Sequence, residues 1–405
     1  MNTSRMRKLG TAVTCCMLVL PLTGCWDRIE INDLALITGA SVDQVNAKTV
    51  ELSVQIFVPR AAGGGGGGMS MGSQGGTGST NTFVNSAKGE NLADAFSHLQ
   101  ERMSRKLFWG HAEIFIFSEA AARHGIQDEV DYLMRAPQPR ERAYIYVSHG
   151  KARQALELRS VLERDTSEAL REIAKNKVSV SVTLADLSQM ITSGSGAAVL
   201  PWISRQAPHT KGNPDTSVHF ENGTAVFKGD KMVGVIDETT TRGVLWLQNE
   251  IKNAVITVEP KDEQGIVSVR LIKSRTKLKA RIQNGKWQIT ARIHTENDAV
   301  ENSTAANLTI EPKSITIVEK ALEKDIKDRI DMALAQAQGK LKADIFNFAG
   351  VFHRAYPKEW HRMQSQWDEL FPKVEVITKP EAVLLRPGLA NVRASRPEKE
   401  RSPKS

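Results

Sequence analysis

The hydrophobic and polar positions of this chain change period several times, and each change marks an element. Leu34 to Val42 is mostly apolar, and Val50, Leu52, Val54, Ile56 and Val58 alternate with Glu51, Ser53 and Gln55. Alternation at period two predicts strands, and the polar turn over 43–48 predicts a hairpin joining them. Leu92, Ala95, Phe96, Leu99 and Met103 recur at the spacing of one helix face. Ile114 to Phe117 is apolar on both faces, which predicts a central strand. A short helix over 119–124 stopped by Gly125, a segment over 132–134 ending near Pro137 and a strand over 144–147 follow. Helical patterns cover 152–158, 167–175 and 184–191, so the N-terminal half reads as mixed α and β.

Between Pro201 and Pro214 the composition turns loop-like, and a boundary is expected there. The chain beyond it is strand-rich. Gly229-Asp230 separates two apolar runs as a two-residue hairpin turn, and Asn284-Gly285 is a stronger signal of the same kind. Pairing across Asn284-Gly285 sets Ile282 against Trp287, Ala280 against Ile289 and Leu278 against Ala291. After Pro312 the period becomes helical: Val318, Leu322, Ile326, Ile330 and Leu334 recur every fourth residue, continued by Ala337, Leu341 and Ile345. Gly339 costs a helix interior ~1 kcal/mol relative to Ala, so a kink or break is expected there. A second helix opens at Pro357 and carries Trp360, Met363, Trp367, Leu370 and Phe371 until Pro372 stops it. Two closing strands are expected at 374–377 and 382–385. The fold class is α+β: a mixed α/β N-terminal region, then antiparallel strands packed with long helices. The expected division is 25–205 and 206–385, the latter divisible near residue 300, with a basic disordered tail over 386–405.

Composition narrows the class. The 405 residues are 40% hydrophobic and 25% charged, which excludes a wholly disordered, collagenous or polytopic membrane chain. The net charge of +8 is concentrated at the ends. The first 24 residues contribute +3 and the last 20 contribute +4, leaving a body near neutrality and no nucleic-acid footprint.

Residues 1–24 read as an export signal: Arg5, Arg7 and Lys8 precede an apolar run of 14 residues from Leu9 to Leu22. That run is too short to cross a hydrocarbon layer of ~30 Å as a helix. It ends in Leu22-Thr23-Gly24-Cys25, which resembles the lipobox of bacterial lipoproteins, with Cys25 as the lipid-bearing residue. Cys15 and Cys16 lie within the removed segment, so a mature chain would keep one thiol at its new N-terminus and no disulfide. The expectation is a protein outside the cytoplasm, anchored by lipid. The Gly-rich stretch over 61–81 cannot pack a core and reads as a long loop within the first domain.

Catalytic patterns are absent or accidental. Gly68-Met69-Ser70-Met71-Gly72 matches a nucleophile elbow in letters, but that motif needs a strand before it and a helix after it. The glycines of 63–68 satisfy a dinucleotide fingerprint trivially, with no helix following. His353 and His361 are separated by the break at Pro357, which argues against a shared metal, and His111 reads as a half-buried structural residue. Asp237-Glu238 reads as a turn, and Trp360 with Trp367 as core packing. No catalytic residue, metal or cofactor is expected. The most specific feature is Lys273, Arg275, Lys277, Lys279 and Arg281, five cations at period two on one strand face. Ile272, Leu278, Ala280 and Ile282 are expected on the other face, and the hairpin register puts Arg292 opposite Lys277. Two readings remain open for this stripe: a solvated face that discourages edge aggregation, or a contact with anionic lipid headgroups or an acidic protein surface.

The order of segments resembles the Ger(x)C spore germination lipoproteins, the C subunits of nutrient germinant receptors. Its carriers are Cys25-Trp26-Asp27-Arg28, Leu107-Phe108-Trp109-Gly110-His111, Tyr132-Leu133-Met134-Arg135 and Gly223-Thr224-Ala225-Val226-Phe227. Thr241-Arg242-Gly243-Val244-Leu245-Trp246 follows, then Asp344-Ile345-Phe346-Asn347-Phe348 with His353-Arg354, Tyr356-Pro357 and Trp360. The resemblance implies a lipid-anchored, non-enzymatic subunit on the outer face of the spore inner membrane, joined to multi-spanning A and B subunits, the three together sensing small nutrients. It brings no catalytic residues, and only Cys25 is carried over. A solute-binding lipoprotein of a transporter is the alternative, and it requires two similar lobes around a cleft.

Overall fold

The computed structural model describes residues 30–58, 82–158, 162–206, 218–261, 263–304, 307–309 and 312–387. Residues 1–24, expected to be an export signal, Cys25, the Gly-rich stretch with its elbow-like match and almost all of the basic tail lie outside the described residues.

The N-terminal half begins with β1 (Leu34–Asn46) and β2 (Thr49–Phe57), the expected hairpin with its turn shortened to Ala47-Lys48. β3 (Thr82–Gly89) adds to β2, so residues 58–81 connect neighbouring strands. Next come α1 (Leu92–Glu101), β4 (Lys106–Phe108), β5 (Ile114–Ser118), α2 (Glu119–His124), α3 (Gln127–Arg135), β6 (Tyr144–Ser148), α4 (Ala152–Glu157), α5 (Thr166–Asn176) and α6 (Leu184–Thr192). β7 (Ala197–Gln206), β8 (Val218–Lys228) and β9 (Lys231–Ile236) complete a nine-stranded sheet of order β3-β2-β1-β5-β6-β7-β8-β9, with β4 also on β1. Its centre, β1-β5-β6-β7, is parallel and its flanks antiparallel. All five residues of β5 are buried, as an apolar strand covered on both faces must be. The helices start where short polar side chains can take orphan N–H groups: Asn91, Ser118, Asp165 and Thr183 each accept from the third residue on. Gly125 (φ 128°) ends α2 as expected.

The stretch between Pro201 and Pro214 does not end a sheet. Residues 201–206, expected to be loop-like, are the end of β7, which pairs antiparallel with β8 beyond the stretch, and Gly229-Asp230 turns β8 into β9 as the expected two-residue hairpin turn.

α7 (Glu238–Gln248) leads to the second sheet: β10 (Val255–Val258), β11 (Val267–Gln283), β12 (Lys286–Asn302) and β13 (Glu375–Arg386), in that order. Asp237, expected in a turn, caps α7 by accepting from Thr240 N–H at 2.7 Å. Asn284 (φ 52°) and Gly285 (φ 74°) form the left-handed pair of a tight hairpin turn, and the pairs 282–287, 280–289 and 278–291 form as expected. α8 (Pro312–Leu334) buries Val318, Leu322, Ile326, Ile330 and Leu334, then widens into a π-helical segment over Ala335–Leu341 that contains Gly339.

Two expectations fail here. α9 (Phe348–Ala355) precedes the expected second helix, which opens at Pro357 as expected but is broken into α10 (Pro357–Met363) and α11 (Trp367–Leu370), with 3₁₀ turns at Gln364–Gln366 and Phe371–Lys373. The breaks let Trp360 and Trp367, both buried, bring their rings to 5.2 Å. The two closing strands are one, β13, running parallel to β12 straight through Pro380. Proline is tolerated because the N–H groups of Ala382 and Leu384, in phase with Pro380, point away from β12 and bond Glu323 (3.3 Å) and Glu319 (3.0 Å) of α8. These two carboxylates cover what would be a free sheet edge. Glu319→Ala combined with Glu323→Ala is expected to cost about 2 kcal/mol. Amide exchange of Ala382 and Leu384 should speed up selectively. Unchanged protection at both amides would remove this role.

The halves share one continuous apolar core running from Ala35 to Leu384. A smaller cluster around Ile116, Tyr146 and Leu170 packs α4 and α5 on the other face of the first sheet.

Candidate functional site

Two places in the C-terminal half hold polar chemistry out of the ordinary: the outer face of the second sheet and a buried carboxylate at Asp344.

The outer face is built by register. Leu271 pairs with Asn297 and Lys273 with Glu296, which leaves Ile272 as the extra residue of a bulge. The bulge switches phase. Val267, Val269 and Leu271 are buried before it, whereas Leu278, Ala280 and Ile282 face inward after it. Ile272, expected inward with Leu278, is 50% exposed for this reason. Lys273, Arg275, Lys277, Lys279 and Arg281 all lie exposed on the outer face, as the alternation predicted.

β12 and β13 extend these cations into rows across three strands: Lys273–Glu296–Val383, Arg275–His294–Glu381, Lys277–Arg292–Lys379, Lys279–Thr290–Ile377 and Arg281–Gln288–Glu375. The carboxylates are engaged at the margins. Lys273 Nζ lies 3.1 Å from Glu296, His294 Nδ1 3.3 Å from Glu381, and Gln288 Nε2 donates to Glu375 at 3.0 Å. The middle row has no anion at all. Among the described residues Arg275, Lys277, Lys279, Arg281, Arg292 and Lys379 make no ion pair. Lys379 was missed by the sequence reading because Pro380 split its strand in two; its period-two spacing from Glu381 and Ile377 was the available signal.

Asp344 is 3% exposed and lies where α9 begins. Its Oδ1 accepts from Phe348 N–H (3.0 Å), and its Oδ2 accepts from Ala349 N–H (2.8 Å) and Trp367 Nε1–H (3.1 Å). Burial pushes the carboxyl up to about 7, against the opposing pull of these donors. The group thus fixes a helix N-terminus and an aromatic cluster of Trp287, Phe352, Trp360, Trp367 and Phe371. Asp43 does the same work in the first half, accepting from Ala152 N–H and Arg153 N–H at the start of α4, both at 2.8 Å.

An open groove of about 870 Å³ separates the halves, lined among others by Lys177, Asp186, Gln248, Asn249, Asn347 and Arg354. Asp344 reaches it with both oxygens already engaged, so it offers no free base. The His353 and His361 rings are 5.6 Å apart, but His353 stacks on Trp360 and His361 Nδ1 lies 2.7 Å from the Pro357 carbonyl. Among the described residues no three His, Cys, Asp or Glu gather as metal ligands. His111, expected half-buried, is exposed beside Phe108. No described helix is long and apolar enough to cross a membrane.

Comparison with known proteins adds to this picture. Residues 27–205 match the family model described as spore germination protein N-terminal domain, and residues 222–388 match the one described as spore germination B3/GerAC like, C-terminal. The putative spore germination protein YfkR of Bacillus subtilis (strain 168) is 31% identical over 367 residues, covering 90% of this chain and 93% of that protein. Spore germination protein KC of the same organism is 26% identical, covering 95% of this chain and 97% of its own length. The crystal structure of the GerBC protein shares the fold, with a TM-score of 0.52 at 16% identity over 86% of this chain and 97% of that one. With both halves matched in order and a relative above 30% identity along nearly its whole length, the chain belongs to the GerAC-like family of spore germination proteins.

Proposed function

We propose that the protein is a lipid-anchored, non-catalytic subunit of a nutrient germinant receptor, tethered through Cys25 to the outer face of the spore inner membrane beside transmembrane A and B subunits. The observation that carries this reading is the match of both halves to spore germination proteins, joined to the Leu22-Thr23-Gly24-Cys25 pattern at the N-terminus. The tether gives the reading its physical sense: confining the folded body near its membrane partners lets modest contacts suffice. The state of the polar groups supports a non-catalytic role, because the buried carboxylates Asp43 and Asp344 hold helix ends. The alternative of a two-lobed solute binder finds no support in a nine-stranded sheet followed by a four-stranded one of different order.

The test is deletion of the gene, followed by dipicolinic acid release from spores across a nutrient panel. Normal sporulation with loss of the response to one nutrient class is the expected result. Complementation with Cys25→Ala should restore little of that response. Full restoration would make the lipid dispensable, and a deletion that leaves every response intact would count against the receptor role.

A further inference from the structure

Protection of a sheet edge accounts for cations on β11, whose 273–281 stretch has no strand partner beyond β12. It does not account for Arg292. That residue sits on β12, a strand paired on both sides, with Lys277 directly opposite on one flank and Lys379 on the other. Like charges placed abreast across a sheet destabilise the fold. The row therefore works against folding, and no described carboxylate relieves it.

We infer that this basic face docks on a surface of anionic lipid headgroups, so that the second sheet lies against the membrane and its helices point away. Charge complementarity is the first ground. The face presents Lys273, Arg275, Lys277, Lys279, Arg281, Arg292 and Lys379 against three carboxylates at its margins. Shape is the second. Alternate strand residues are ~6.7 Å apart and strands ~4.8 Å apart, so the cations form a shallow grid ~27 Å long. The rows contain no Phe, Tyr or Trp, and their two apolar members, Ile377 and Val383, stand in separate rows, whereas a protein partner is normally held by a buried aromatic or apolar anchor. The chain's own remaining segments are poor occupants: residues 59–81 contain no Asp or Glu, and the tail from Arg386 is itself net basic. The inference deepens the membrane tethering proposed above and rests on it for the choice of surface. One lipid anchor sets distance from the bilayer, and a basic face sets orientation.

The experiment uses the chain without residues 1–24 and with Cys25→Ser, so that no lipid contributes. It is sedimented with vesicles of phosphatidylcholine alone and of phosphatidylcholine with 30% phosphatidylglycerol, at low and at 0.5 M salt. Retention is expected on the anionic vesicles only, and high salt should release it. Each Lys or Arg near an anionic surface is worth about fivefold in partitioning, so Lys277→Glu with Lys279→Glu should weaken binding by about 30-fold or more. Arg292→Gln alone should weaken it about fivefold. Thermal unfolding of each variant verifies that the fold is kept, and Lys277→Gln with Lys279→Gln provides a milder pair. Equal retention on both vesicle types, retention on neither, or indifference to these substitutions overturns the inference. Absence of vesicle binding together with lost germination in Lys277→Glu, Lys279→Glu spores would assign the face to an acidic protein partner and likewise overturn it. The vesicle result stands apart from the germination test, so each proposal can fail alone.

Discussion

Asp344→Ala is expected to destabilise the protein by about 4 kcal/mol, read as a fall in the urea midpoint at pH 7. The substitution strands three buried donors at once: the N–H groups of Phe348 and Ala349 and the Trp367 indole. An unsatisfied buried donor costs about 1–3 kcal/mol, and the three cannot all find water in a site that is 3% exposed. The loss should spread through the aromatic cluster, because Trp367 packs on Trp287, Phe352 and Trp360. A change in midpoint equivalent to less than about 1 kcal/mol would show that the backbone finds other acceptors. Asp344→Asn supplies the pH test. With its carboxyl pushed up to about 7 in the folded state, from 3.8, the group binds a proton more tightly folded than unfolded. Its contribution to stability is therefore fully present below pH 4 and lost as pH rises through about 7. The stability gap between the chain and Asp344→Asn should be wider at pH 5 than at pH 8. A gap that widens toward alkaline pH would mean that the N–H donors outweigh burial.

Gly243→Ala is the second large effect, and its sign is diagnostic. On helix propensity alone, alanine in the middle of α7 should gain about 1 kcal/mol. The structure demands the opposite. A Cβ at 243 would lie 2.1 Å from the Arg329 carbonyl oxygen and 2.8 Å from the Ala333 methyl, both on α8. Backbone cannot swing aside as a side chain can, so α7 and α8 must separate along their buried faces, which include Val244, Leu247, Ile326 and Ile330. The expected loss is about 3 kcal/mol, at the upper end of overpacking costs. Thermal unfolding decides the sign, and a more stable Gly243→Ala protein would contradict the close crossing. The Thr241-Arg242-Gly243-Val244-Leu245-Trp246 motif thereby has a physical basis. Its glycine sets the distance between two helices, and its Thr241 hydroxyl lies 2.9 Å from that of Thr224.

Asp344 and Gly243 stood out in the sequence only as members of motifs. Nothing near Asp344 in the chain says that its partner is an indole 23 residues on. Nothing around Gly243 names a carbonyl at 329.

Local order, by contrast, was legible. The hairpin register across Asn284-Gly285 followed from the turn itself, since a two-residue left-handed turn leaves one way to pair its arms. The inward stripe of α8 followed from a period of about four residues, and the outward stripe of β11 from a period of two. Both periods are properties of a single backbone conformation, and neighbours in sequence are enough to specify them.

Tertiary structure alone decided the rest. The bulge that sends Ile272 outward exists because two strands of unequal local length must keep their apolar faces inward on both sides of it. Arg292 gained Lys379 as a neighbour because residues 312–373 return the chain parallel to β12, a pairing no local pattern encodes. Pro380 broke the strand pattern in the sequence and not in the fold, since whether a missing N–H matters depends on which way it points. Periodicity, charge and turn chemistry are local and survive in the unfolded chain as tendencies. Which stripe meets which, and which cations stand abreast, is set only when segments far apart in sequence compete for the same core.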